Sequence, residues 1–206
     1  MTTTKAGTKG VPRADREELI LAAATRHFAE HGYAATTLAD VAADAGITKP
    51  LVYSYFGPKE ELFAACVAHA SENLRSQREA TLEAPRGVES GLAAIRGALT
   101  TLEQRPYDWT LVYGIEVPKG TAAATTLREH RRQLIAPAIA EVRGAAKSAD
   151  LDDDDDIALM TDLWLGMLTT LVRWWHAHPG STVDEVLARC ARVYAATMRM
   201  TEEETP

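Results

Sequence analysis

The chain has 206 residues, 46% of them hydrophobic and 25% charged, so it has enough apolar material for a packed core and is not expected to be disordered. It lacks an uncharged apolar run of about 18 residues and an N-terminal segment of signal-peptide type, so we expect no membrane span and a cytoplasmic location. Cys66 and Cys190 lie far apart without metal-ligand spacing, which favours plain thiols, and we predict neither a metal nor a cofactor.

The formal net charge of −7 is unevenly distributed. Residues 1–60 hold seven of the 22 Lys and Arg and seven of the 29 Asp and Glu, so the negative charge belongs to the remainder. Lys5, Lys9, Arg13 and Arg16 cluster near the N-terminus, with only Asp15 among them. A neutral module with a basic arm, joined to an acidic body, is compatible with nucleic-acid binding at one end.

The first predicted helix follows a polar, flexible arm over residues 1–14. From Asp15, apolar residues recur at helical spacing until Gly32, which suits a helix-ending position. His27 lies on the apolar face, where it is either a packed histidine or a pH sensor.

Two short helices are predicted between Thr36 and Leu62. Thr37 and Asp40 resemble a capping box at the start of the first, and Gly46 ends it after about two turns. Thr48 can cap the second, in which Pro50 falls in the first turn, where its missing N–H costs nothing. Two short helices joined by a glycine turn, after a longer helix, are typical of helix-turn-helix DNA-binding proteins.

The rest of the chain is predicted to be helical as well, with helices over 58–82, 88–102, 107–116, 122–146, 157–177 and from 183 onward. Breaks fall at 84–87, 118–120 and 179–180. The five carboxylates of Asp152 to Asp156 fit either a hard-cation site or a solvated loop and negative helix start; no EF-hand spacing is present.

The chain resembles the TetR family of bacterial transcriptional regulators over about fifty residues. The matching positions are Ile20, Ala23, Ala24, Phe28, Gly32, Thr37, Val41, Ala42, Ala45, Gly46, Ile47, Thr48, Val52, Tyr53, Tyr55, Phe56, Lys59, Glu60 and Leu62. His27 and Pro50 depart from the family's usual pattern, and the departure at Pro50 bears on the base preference.

This resemblance implies an all-α fold of about nine helices. Residues 1–60 would form the arm and a three-helix, homeodomain-like DNA-binding head, and residues 61–206 a helical domain for effector binding and dimerisation. The function implied is a homodimeric regulator, most often a repressor, released from a palindromic operator on double-stranded DNA by a small-molecule effector.

Two sets of side chains are candidates for contacting DNA. Hydroxyls and a lysine suited to phosphates are found at Thr37, Tyr53, Tyr55 and Lys59. Residues that could reach base edges are Thr48, Lys49, Pro50, Leu51 and Ser54. The alternative is that these are merely exposed side chains of a small helix.

The C-terminal helices carry more apolar surface than one core face needs. We therefore predict a four-helix interface with a second copy, involving Leu171, Trp174, Trp175, Val186, Cys190 and Val193, although the two tryptophans could be plain core. Candidate effector contacts are Tyr107, Trp109, Tyr113, Trp164, Met167 and Leu168.

The sequence contains no catalytic motif: no Gly-rich phosphate loop, no HExxH and no GxSxG. We therefore predict that the protein is not an enzyme. The alternative function is an all-α small-molecule-binding or scaffold protein without specific DNA binding.

Overall fold

The computed structural model describes residues 12–81, 88–147 and 153–203, and within these ranges every regular element is helical. Eight α-helices and one π-helical turn follow one another: α1 Arg13–Ala35, α2 Leu38–Asp44, α3 Lys49–Phe56, α4 Lys59–Thr81, α5 Val88–Gln104, the π turn Thr110–Gly114, α6 Ala122–Lys147, α7 Asp154–His176 and α8 Val183–Glu203. This confirms the predicted all-α fold of about nine helices. The break predicted at 84–87, Asp152 and nearly all of the predicted arm lie outside the described residues.

α1 folds because its apolar residues repeat on one face, and it packs that face against α4. Ile20, Ala24 and Phe28 are fully buried. The rings of Phe28 and Phe63 meet edge to face with their centroids 5.0 Å apart. Gly32 has a φ of +79° and interrupts the helix, a left-handed conformation that glycine adopts without strain.

α2, a tight turn and α3 form a helix-turn-helix. The Thr37 hydroxyl accepts a hydrogen bond from the Asp40 backbone N–H at 3.2 Å, which caps α2 as the sequence predicts. The turn passes through Gly46, whose φ is +69°, and the Ile47 N–H donates to the Ala42 carbonyl at 2.9 Å. α3 anchors itself through the fully buried Val52.

α4 continues the core of the three N-terminal helices into the body. Leu62, Phe63, Cys66 and Val67 are fully buried in one hydrophobic cluster that also includes side chains of α1, the π turn and α6. The predicted domain boundary between residues 60 and 61 falls in the first turn of α4, just before the residues that share this core, and stays a prediction.

A second hydrophobic cluster joins α5, α7 and α8. Its buried members are Ile95, Leu99, Leu102, Trp109, Leu168, Val172, Trp175, Val183, Val186 and Leu187. At the start of α7 the Asp153 side chain accepts from the Asp155 and Asp156 N–H groups, and three carboxylates occupy the first turn, where the helix dipole favours negative charge. Among the helices in the described ranges, none is long and apolar enough to cross a membrane.

Polar side chains fasten α1 to the segment just before the π turn. Arg105 donates to Glu18 at 2.7 Å and lies 2.8 Å from His69 Nε2. The Tyr107 hydroxyl donates to Glu30 at 2.7 Å. The N-terminal helices and the start of the π turn are therefore connected by hydrogen bonds as well as by packing.

Candidate nucleic-acid interface

The N-terminal half of α3 presents a polar surface to solvent. Thr48, Lys49 and Pro50 are exposed, whereas Leu51 is half-buried. Thr48 occupies the N-cap position but its side chain makes no capping hydrogen bond, so its hydroxyl is available to a ligand. The exposed Ser54 hydroxyl donates to the Leu51 carbonyl at 2.8 Å, and its oxygen can still accept from a ligand.

Two tyrosines extend this surface in different ways. Tyr53 is 56% exposed. Tyr55 is half-buried, and its hydroxyl oxygen accepts from Arg16 Nη1 at 3.3 Å while Arg13 Cζ lies 4.8 Å from its ring centroid. Two positive side chains of α1 therefore accompany a predicted phosphate contact. From the sequence, Arg13 and Arg16 are predicted only as part of a basic arm, because their position beside Tyr55 depends on tertiary packing.

Thr37 and Lys59, the other two predicted phosphate contacts, also stabilise the fold. Thr37 is exposed, and its hydroxyl donates to the Asp40 carboxylate at 2.6 Å. Lys59 Nζ donates to the Ala34 carbonyl at 3.0 Å and lies 4.6 Å from the Tyr33 ring centroid. Burial lowers the pKa of the Lys59 ammonium, and the nearby Glu60 carboxylate opposes this shift. Lys59 is thus half-buried and lies against the C-terminal end of α1.

The predicted DNA-contacting residues are therefore brought together on and around α3. Its exposed residues are ones that can meet base edges and phosphates, and its buried face holds it rigidly on the core. Such an arrangement can enter the major groove of DNA, where an α-helix fits.

A cleft of about 500 Å³ opens in the body between α6, α7 and the π turn. Its lining residues are Tyr113, Arg128, Arg131, Arg132, Ile135, Leu165, Gly166 and Thr169. Of the six predicted effector contacts, only Tyr113 is among them. The three arginines were not identified from the sequence, because on a long helix they are typical of a solvated face.

The other five predicted effector contacts lie elsewhere. The Trp109 indole N–H donates to Thr169 at 3.2 Å from within the second core cluster, which also buries Leu168. Trp164 and Met167 pack partly buried against that cluster, and Tyr107 is engaged with Glu30 on α1. Trp109 does not line the cleft, but it contacts two residues that do: it donates to Thr169, and its ring lies 4.5 Å from the Tyr113 ring, centroid to centroid.

The six predicted dimer contacts also divide by burial. Trp175 and Val186 lie inside the protomer core, so we assign both to that core instead of to an interface. Leu171, Trp174 and Cys190 are half-buried, and Val193 is 61% exposed. Leu159 and Leu163 on α7 are exposed by 59% and 65%, and neither is among the six predicted dimer contacts.

Residues 20–66 match the family described as bacterial regulatory proteins, tetR family. Over 77 residues the chain is 40% identical to the HTH-type transcriptional repressor Rv3405c of Mycobacterium tuberculosis, a match that covers 36% of this chain and 41% of that protein. The first curated relatives are matched over only 36% and 30% of their own length. The segment that matches the family model lies in the N-terminal helices, and these three curated relatives match only about a third of this chain.

Similarity of fold extends through the body. A TetR-like transcriptional regulator from Rhodococcus sp. RHA1 superposes with a TM-score of 0.66 at 25% identity, covering 86% of this chain and 92% of that one. The FadR regulator of Bacillus subtilis, solved in complex with stearoyl-CoA, superposes with a TM-score of 0.62 at 17% identity, covering 83% of this chain and 95% of that one. The N-terminal helix-turn-helix segment of this chain is therefore that of the tetR family of bacterial regulatory proteins, and its overall fold is similar to that of a TetR-like regulator.

Proposed function

We propose that the protein is a transcriptional repressor that binds a palindromic operator on double-stranded DNA as a homodimer and leaves it when a small-molecule effector binds the body. The observation that carries this proposal is the exposed face of α3, where Thr48, Lys49, Pro50 and Ser54 are free to meet DNA while Val52 fixes the helix from behind. Because the proposed partner is operator DNA, we infer that the protein acts in the cytoplasm.

The phosphate contacts would come from the surroundings of α3. Tyr53, Tyr55 and Lys59 flank its exposed face, and Arg13 and Arg16 add positive charge beside Tyr55. Cationic side chains near phosphates release counterions from DNA, so binding should weaken steeply with added salt. In this protein that attraction must act locally, since the whole chain carries a net charge of −7.

Dimerisation is supported by the apolar residues that α7 and α8 leave exposed. Leu159, Leu163 and Val193 are each more than half exposed. A two-fold dimer through α7 and α8 would present two copies of α3. Its operator half-sites should then lie about one helical turn, or a multiple of it, apart.

Effector control is supported by the cleft and by its position relative to α4. The cleft volume falls in the range of small-molecule sites. α4 packs on both α1 and α6, so a shift of α6 or the π turn can be passed to the N-terminal helices. To change occupancy from nearly all bound to nearly all free, an effector must prefer the released conformation by about 10⁴-fold.

An electrophoretic mobility shift assay on the DNA upstream of the protein's own gene tests the proposal. We expect a shifted band that resists competition by random DNA and that weakens as salt is raised. Saturating protein without a salt-sensitive shift would instead support the alternative, an all-α ligand-binding or scaffold protein without specific DNA binding.

A further inference from the structure

The cleft between α6, α7 and the π turn is lined by positive charge in an otherwise acidic body. Its charged lining residues are three arginines, Arg128, Arg131 and Arg132. Residues 61–206 as a whole hold 15 basic and 22 acidic side chains. The charge of the cleft lining is therefore opposite in sign to the net charge of residues 61–206, which contain it.

The three arginines are bound to the protein to different degrees. Arg131 is half-buried, and its guanidinium donates to the Val112 carbonyl and, at 3.1 Å, to the Ile115 carbonyl. Burial lowers the pKa of this guanidinium. Arg128 and Arg132 are exposed, and neither forms an ion pair with any residue that the structure describes. One arginine thus holds the wall in place, and two have their donors free for a ligand.

The remaining lining residues are largely apolar or small. Ile135 on α6, Leu165 on α7 and the ring of Tyr113 border the same space, together with Gly166 and Thr169. A free guanidinium donates in a planar fork that matches a carboxylate or phosphate, whereas aliphatic and aromatic surface favours hydrocarbon. One cleft therefore offers both kinds of contact.

We infer that this cleft binds an amphiphilic anion, with a carboxylate or phosphate head group at Arg128 and Arg132 and an apolar portion against Tyr113, Ile135 and Leu165. This inference rests on the proposed function, because it names the chemical class of the effector. It also supplies a route for the signal. Arg131 and Tyr113 tie the cleft to the π turn, and the segment before that turn is hydrogen-bonded to α1 through Arg105 and Tyr107.

The test is calorimetric titration of the full chain, without DNA, with decanoate, decyl phosphate and decan-1-ol. We expect saturable binding of an anion and at least tenfold weaker binding of the alcohol, which has the same apolar chain and no charge. The anion that binds more tightly identifies the head group. Since the titration contains no DNA, its result does not depend on whether the protein binds an operator.

The variant Arg128→Gln/Arg132→Gln should bind the preferred anion about tenfold more weakly or worse, because hydrogen bonds to a charged group are lost. Arg143→Gln is the matched control. Arg143 lies on the same helix, is exposed and does not line the cleft, and its ion pair with the exposed Asp154 is also outside the cleft lining, so its removal should leave anion affinity within twofold of the wild type. Equal affinity for decanoate and decan-1-ol, no binding of either anion, or an unaffected double variant would overturn the inference.

Discussion

On α3, neighbouring side chains differ in what they can contact. Lys49 is exposed at the helix start, and within the described residues it makes no ion pair, so its ammonium can reach a base edge. Tyr53 is more than half exposed one turn later, where a phenolic hydroxyl suits a phosphate. A base contact distinguishes sequences, whereas a phosphate contact does not.

Lys49→Ala should therefore weaken binding to an operator that has the contacted base by about 1–3 kcal/mol and leave random DNA nearly unaffected. Tyr53→Phe should weaken binding to all sequences alike. Fluorescence anisotropy titrations of both variants against operator and random duplexes measure these losses. Equal losses of operator and random binding in Lys49→Ala would reassign Lys49 to a phosphate.

The buried Asp108 carboxyl leads us to predict how the stability of the protein depends on pH. Its pKa is raised, chiefly because burial penalises the charged form and to a smaller degree because of Glu18, although the Asn73 hydrogen bond, Arg105 and His69 oppose the shift. A raised pKa means that the folded state binds this proton more tightly than the unfolded chain. The contribution of Asp108 to stability therefore falls as pH rises above the ordinary aspartate pKa of about 4 and through its folded-state pKa.

Asp108→Asn removes the buried charge but keeps a side-chain oxygen. That oxygen can still accept from Asn73, whose Nδ2 lies 2.8 Å from Asp108 Oδ2. We expect the melting temperature of the variant relative to wild type to rise between about pH 4 and pH 7. Thermal unfolding followed by circular dichroism across this range measures the difference. A difference that stays constant or falls with pH would show that the charge is well tolerated in the folded protein.

Among the elements, the turn between α2 and α3 depends on a single backbone conformation. Gly46 has a φ of +69°, and a Cβ added there would meet no atom within 4 Å. Gly46→Ala should therefore cost about 1–2 kcal/mol through backbone strain alone. Gly144 is the matched control, because it lies within α6 and a Cβ there is also unobstructed. Gly144→Ala should instead raise stability by about 0.5–1 kcal/mol.

Urea unfolding of the two glycine variants measures both changes. Similar effects in the two would contradict a specific conformational requirement at Gly46.

The N-terminal elements are predictable from the sequence because their signals are local. Capping by Thr37, the turn glycine Gly46 and the buried Val52 each depend on a few neighbouring residues. The cleft depends on how α6 packs against α7 and the π turn, so residues distant in sequence determine it. Trp109, predicted to contact an effector, lies in the core, whereas Arg128 borders the cleft.

For the whole molecule, the exposed apolar face of α7 and α8 predicts a dimer. Leu163→Glu should weaken dimerisation by at least about 100-fold, because a buried charge without a partner costs several kcal/mol. Leu19→Glu is the matched control, as Leu19 is 50% exposed on α1, away from this face. Sedimentation velocity over a range of concentrations measures the dimer dissociation constant of both variants. A Leu163→Glu variant that dimerises as strongly as the wild type would exclude this face as the dimer interface.

A dimer with two copies of α3 on a two-fold axis should leave a characteristic imprint on DNA. Footprinting of the full chain on the DNA upstream of its own gene tests this most directly. We predict a protected region with two symmetrically related halves, spaced by about one helical turn or a multiple, that is lost as salt is raised. Absence of protection at saturating protein and low salt, or protection without two-fold symmetry, would contradict the account.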